Sequence, residues 1–198
     1  MTTVLIDYSD AWVAADLEAD PGEWARACIR RRAGEEKADL SVDQVGLLAD
    51  VLVPALDLAG REEIPPVMLL FLLPAADEPA VCSVSVRAEG ITGDTSTEDL
   101  LQEVRLPAEM LEQPAVEEVV QTRSGPAVHL VQRYLAPQGA DFELVQEHEI
   151  FVWRLTDAEG DLAVYLSTSY LDLADAAQWR PQLVELAATL TVTEDSLK

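Results

Sequence analysis

The residues of this chain best suited to chemistry are Glu147, His148 and Glu149. In an extended strand alternate side chains share a face, so Glu147 and Glu149 project together, about 6.6 to 7 Å apart along the strand. Carboxylates at that separation can run acid/base chemistry or hold a cation. His148 points to the opposite face unless a bulge turns it, and an exposed acidic strand edge accounts for all three residues equally well. The second histidine, His129, lies between Val128 and Leu130 and shares a face with Val131 and Arg133. With no ligand pattern around it, it reads as a partly buried, hydrogen-bonded strand residue. Hydrolytic triads and metal centres need a positioned nucleophile or several ligands in register. Two histidines in the whole chain give little material for either. The expectation is therefore no catalytic residue, no metal and no cofactor. Glu147, His148, Glu149 and Trp12 remain as a candidate ligand or partner surface.

Other groups that resemble motifs have plainer readings. Cys28 and Cys82 are 54 positions apart among apolar or small neighbours, which suits reduced core fillers better than a metal or redox pair. Arg30, Arg31 and Arg32 close a helix, where cations oppose the carbonyl dipole favourably. Gly90 and Gly93 lack the lysine and second turn of a phosphate loop, so nucleotide binding carries little weight. Trp153 and Tyr134 read as sheet residues under helices, while Trp12, Trp24 and Trp179 lie in helical or entry segments.

These residues sit in a chain of 198, 49% hydrophobic and 25% charged, enough apolar material for one folded domain spanning residues 1–198. The net charge of −24 repels nucleic acids and anionic lipid, leaving another protein as the expected partner. The first 25 residues hold no Lys or Arg, and the longest apolar run, Ile64 to Ala76, is interrupted by three prolines. A cytoplasmic location is expected. Of the 13 basic residues only Lys37 and Lys198 are lysines, an imbalance that fits a GC-rich genome or salt adaptation. No repeat or low-complexity linker divides the chain.

Val4 to Ile6, followed by Trp12, Val13 and Leu17, form an apolar entry suited to a short strand or an extended segment beside a sheet. Asp20, Pro21 and Glu23 open a first helix that Gly34 should stop, and Ser41 with Gln44 opens a second that runs towards Gly60. Pro54 predicts a kink or split near Val51 to Val53. In the second helix the broad stripe Leu47, Leu48, Val51, Leu52 and Leu56 is core if the helix covers a sheet; an exposed patch of roughly several hundred Å² would mark a partner surface. Val67 to Leu73 reads as a strand buried on both faces and Ala80 to Ala88 as one with a dry and a wet face. Thr95 and Glu98 suggest a third capping box for a short helix to about Arg105. Val116 to Thr122 and Ala127 to Leu135 form a hairpin. Phe142 to Leu155 is a long strand whose alternation slips between Gln146 and Ile150, which predicts a bulge. A turn at Asp157 to Asp161 leads to a strand at Leu162, Val164 and Leu166. A helix starting at Asp175 or Pro181 and a strand at Thr189 to Thr193 end the pattern.

The hairpin turning at Gly125-Pro126 and continuing into Ala127-Val128, the two long strands, Leu162 to Thr168, and the helix ending Leu186-Ala187-Ala188-Thr189-Leu190 together resemble the PsbP-like fold shared with Mog-type Ran-release factors. Trp12-Val13 ahead of Asp16-Leu17-Glu18, followed by two helices, is similar to uncharacterised actinobacterial proteins of that kind. The resemblance implies an α+β sandwich, a mostly antiparallel sheet with helices on its faces, used as a binding module without a common active site. The leading expectation is a non-catalytic adaptor, chaperone or scaffold. The rivals are a ligand binder or hydrolase-like enzyme with a pocket between the sheet and the N-terminal helices, and an acidic immunity or nucleic-acid-mimic protein.

Overall fold

The computed structural model describes residues 2–63, 65–137, 143–156, 160–170 and 172–194. In chain order its elements are β1 (Thr2–Leu5), β2 (Trp12–Ala14), α1 (Pro21–Glu36), α2 (Val42–Ala59), β3 (Met68–Leu72), β4 (Cys82–Ile91), α3 (Thr97–Val104), β5 (Val116–Thr122), β6 (Gly125–Pro137), β7 (Glu143–Thr156), β8 (Asp161–Tyr170), α4 (Leu173–Thr189) and β9 (Thr191–Glu194), with a 3-10 turn at Ala108–Met110. This is the expected α+β class. The chain packs as two compact units, one of Ser9–Ser85, the other of Met1–Tyr8 with Val86–Lys198.

In the unit of Ser9–Ser85 the strand order is β2-β3-β4, with Trp12 opposite Leu72 and Ala14 opposite Leu70 in an antiparallel pair. Leu69 to Leu72 of β3 are all buried, as a non-alternating apolar strand requires. The core of this unit joins β3 residues Leu69 and Phe71 to Ala25, Cys28 and Ile29 of α1 and Val45, Ala49, Leu52 and Leu56 of α2. Asp20 caps α1 by accepting from the Glu23 amide. The helix runs past Gly34 and stops at Lys37, whose left-handed φ of 58° lets its amide reach the Ala33 carbonyl. Gly34 was the expected stop; the chain turns left-handed three residues later, and a glycine with ordinary helical geometry does not end a helix. Ser41 and Gln44 form the reciprocal capping box of α2. α2 continues unbroken through Pro54. Proline removes one backbone hydrogen bond, and packing of the buried stripe on both sides of it holds the helix together.

In the other unit the order is β4-β8-β7-β6-β5, so β7 and β8 lie centrally and β5 forms an edge. The pairs β5–β6, β6–β7 and β7–β8 are antiparallel. Arg123 and Ser124 turn β5 into β6, and Gly125 takes the positive φ of 109° that follows. β1 and β9 form a separate two-stranded antiparallel sheet. Leu100 and Leu101 of α3 pack on Ile150, Val152, Ala163 and Tyr165, which all project from one sheet face. Helix α4 meets β5, β7 and β8. Its cap is Asp172, and Pro181 lies inside the helix, so the helix begins earlier than the sequence pattern indicates. The box that opens α3 is Ser96 with Asp99, one residue on from the expected pair.

Register also settles the slip in β7. Pairing with β6 runs without interruption from Val128↔Val152 to Pro137↔Glu143, and pairing with β8 from Glu147↔Tyr170 to Thr156↔Asp161. There is no bulge between Gln146 and Ile150. The alternation breaks because charged residues occupy inward positions. Phe142 and the turn residues 157–159 lie outside the described residues.

Candidate functional site

Strand geometry places Glu147, Glu149, Phe151 and Trp153 on one face of β7, with Arg133, Val131 and His129 opposite the first three on β6. Glu118 of β5 lies opposite His129. Glu147 and Glu149 are fully buried, in a central strand and not at an exposed acidic edge. A buried carboxylate needs charged or hydrogen-bonding partners, and α4 supplies the main one. Ala176, Leu183 and Ala187 are its buried stripe, and Arg180 fills the gap in that stripe at helical spacing. The Arg180 Nε donates to Glu149 Oε1 at 2.8 Å, and its Nη2 donates to Glu147 Oε1. Arg133 Nε donates to Glu147 Oε2 at 2.7 Å. His129 Nε2 lies 2.9 Å from Glu149 Oε2 and its Nδ1 3.0 Å from Glu118 Oε1.

All four oxygens of the Glu147–Glu149 pair are therefore engaged. The guanidinium of Arg180 stands between the carboxylates, where a shared cation would have to sit. Burial alone would depress the Arg180 pKa, but the charges and hydrogen bonds of Glu149 and Glu147 outweigh it and hold the value above that of a free arginine. His129 stacks on Phe151 at 4.1 Å between ring centroids, nearly parallel, and Phe151 lies 6.0 Å from Trp153. Trp153 in turn donates its indole N–H to Thr122 at 2.9 Å. The ensemble ties α4 to three strands.

His148 projects to the opposite face, as alternation requires. Burial pushes its pKa below the ordinary histidine value, the nearby charge of Arg87 pushes the same way, and Glu149 opposes them. Arg87 also lies over the Tyr165 ring, 5.8 Å from its centroid. Burial and the carboxylates of Glu89 and Glu103 raise the Tyr165 phenol. Trp12 is buried in the other unit, opposite Leu72. The structure thus brings Glu147 and Glu149 together, turns His148 away from them and leaves Trp12 in a different unit. Among the described residues no group of three or more His, Cys, Asp or Glu is arranged to hold a metal ion. Both cysteines are buried and neither is in a disulfide, and burial raises the Cys28 pKa.

A second feature lies on α2. Its apolar stripe divides: Leu52 and Leu56 are buried, while Leu47 and Val51 point to solvent with relative exposures of 70% and 47%. Leu58, 62% exposed, and Pro54 continue the outward row. Positions 47, 51, 54 and 58 recur at spacings of four, three and four, so they form one line along the helix, opposite its buried face.

No family model matches the chain, and no curated protein does. Among solved structures, the chain is similar to LpqN, described as involved in cell envelope biogenesis of Mycobacterium tuberculosis, with a TM-score of 0.54 at 11% identity over 98% of this chain and 85% of that one. At that identity the likeness shows a shared fold with an actinobacterial protein.

Sequence reasoning missed Arg180; of the outward row of α2 it raised Leu47 and Val51 only as part of one broad stripe, without Pro54 and Leu58. Arg180 was legible as a charged residue at the inward position of a helical stripe, had the helix been started at Leu173. The row on α2 was legible as apolar residues on both sides of one helix, a pattern that a helix covering a core on one side does not need.

Proposed function

We propose that this chain is a non-catalytic protein-binding module of PsbP-like type, acting as an adaptor, chaperone or scaffold, and that the outward face of α2 is its docking surface. One observation carries this reading: Leu47, Val51 and Leu58 are exposed on the face of α2 opposite its core. Exposed apolar side chains are ordinary singly, but an aligned row along a helix is the arrangement by which helices dock on one another. The buried carboxylates support a structural role for the Glu147–Glu149 pair, since each of their oxygens already has a partner. The fold likeness to LpqN supports an envelope setting, whereas the sequence reading favours the cytosol; cell fractionation separates the two. Affinity purification of the full chain from its own cells tests the reading. The wild type should recover a stoichiometric protein partner that the Leu47→Gln/Leu58→Gln variant loses while remaining folded. Retention of every partner by that variant would overturn it.

A further inference from the structure

The row on α2 has a charged border on one side only. Asp43, Asp50 and Asp57 recur every seven residues, two helical turns, and so run as a column beside Leu47, Val51, Pro54 and Leu58. The opposite border, Gln44 and Ala55, carries no charge. Among the described residues none of the three aspartates forms an ion pair. That contrasts with Glu98, Glu117, Glu118, Glu147 and Glu149, each of which meets an arginine or histidine. The column is thus uncompensated among the described residues, alongside an apolar surface long enough for about three turns of a partner helix.

Resting on the docking reading above, we propose that α2 binds an amphipathic helix of a partner protein whose apolar row is bordered by Lys or Arg. Apolar contact supplies the attraction, and the one-sided aspartate column selects a basic partner and its orientation. A second copy of this chain fits poorly. Two α2 helices packed antiparallel about a two-fold axis would set aspartate column against aspartate column, in a protein already carrying a net charge of −24.

The test uses the full chain and three synthetic peptides labelled for fluorescence anisotropy. The first is a helix with leucine at the 4-3-4 spacing and lysine every seventh residue beside it. The second is its glutamate-for-lysine twin, and the third a scramble of the lysine peptide with unchanged composition. The lysine helix should bind about tenfold or more tightly than either control, and weaken as salt rises. Leu47→Gln/Leu58→Gln should abolish the advantage over the scramble. Asp43→Asn/Asp50→Asn/Asp57→Asn should abolish the advantage over the glutamate twin while apolar binding persists. Equal binding of the scramble would show attraction by net charge alone and overturn the proposal. Equal, Leu47/Leu58-dependent binding of the lysine and glutamate helices would overturn the basic-partner inference and leave the docking surface standing. Sedimentation showing a dimer that Leu47→Gln/Leu58→Gln dissolves would assign the face to a second copy and overturn it too.

Discussion

Replacing Arg180 by methionine removes the guanidinium between two fully buried carboxylates while keeping a side chain of similar length on α4. Two charge-assisted hydrogen bonds are lost, one at 2.8 Å to Glu149 and one to Glu147. Leaving a buried charge wholly unpaired costs roughly 3 to 5 kcal/mol. Here Glu147 keeps Arg133 and Glu149 keeps His129, and the Arg180 side chain is one-third exposed. The loss should therefore fall at the low end, about 3 kcal/mol. For a chain of this length that corresponds to a fall in Tm of about 6 to 12 °C. Urea unfolding at neutral pH, followed by tryptophan fluorescence, measures it, since Trp153 lies in the same layer. Arg180→Lys keeps the charge but cannot serve both carboxylates, so it should recover about half the loss. The triple variant Arg180→Met/Glu147→Gln/Glu149→Gln should lose markedly less than the sum of its parts, because the charges that need Arg180 are gone. A loss below about 1 kcal/mol for Arg180→Met, or additive losses in the triple variant, would refute the view that Arg180 fixes α4 to the sheet through this pair.

Three further outcomes follow from the same structure. His148 is held below its ordinary pKa by burial and by Arg87, so the unfolded chain takes up a proton first as pH falls. Its contribution is undiminished above about pH 6.5 and is lost as pH drops through the folded-state value, so wild type should lose more stability than His148→Gln between pH 7.5 and 5.5. A smaller loss in wild type than in the variant would contradict the assigned direction. Ser96→Ala removes the side-chain acceptor of the Asp99 amide at the start of α3 and should cost about 1 kcal/mol in urea unfolding. Leu52→Ala, at a fully buried position on α2, should cost about 2 to 5 kcal/mol, whereas Leu58→Gln on the outward face should stay within about 0.5 kcal/mol of wild type. Comparable losses at the two positions would mean that the outward row packs within the folded chain.

Much of the fold was legible because its cues are local. Ser41 with Gln44 carries the full signature of a capping box, the unbroken apolar run of β3 shows that both faces are dry, and the Gly125 turn pins the β5–β6 register. The failures share a cause. Gly34 resembles a helix stop, but the left-handed residue is Lys37, set by where the chain turns towards α2. The break in β7 alternation looks like a bulge because inward positions are assumed to be apolar. Glu147 and Glu149 are inward because Arg180, more than thirty residues later, neutralises them, and no local pattern shows that pairing. His129 was legible as a buried, bonded strand residue; its two carboxylate partners, on β5 and β7, come from register alone. The Asp43, Asp50 and Asp57 column was visible as spacing, but its meaning required knowing which side of α2 faces the core.

Site-specific photocrosslinking shows whether the outward face of α2 docks a partner protein. With p-benzoylphenylalanine placed in turn at Val51 and Leu58, and for comparison at Val116 of edge strand β5 and at Leu144 of β7, all four exposed, the chain is irradiated in its own cells. Val51 and Leu58 should capture the same protein, through a segment with an amphipathic basic helix, and Val116 and Leu144 should not. Capture of that protein from Val116 or Leu144 alone, with none from α2, would contradict it.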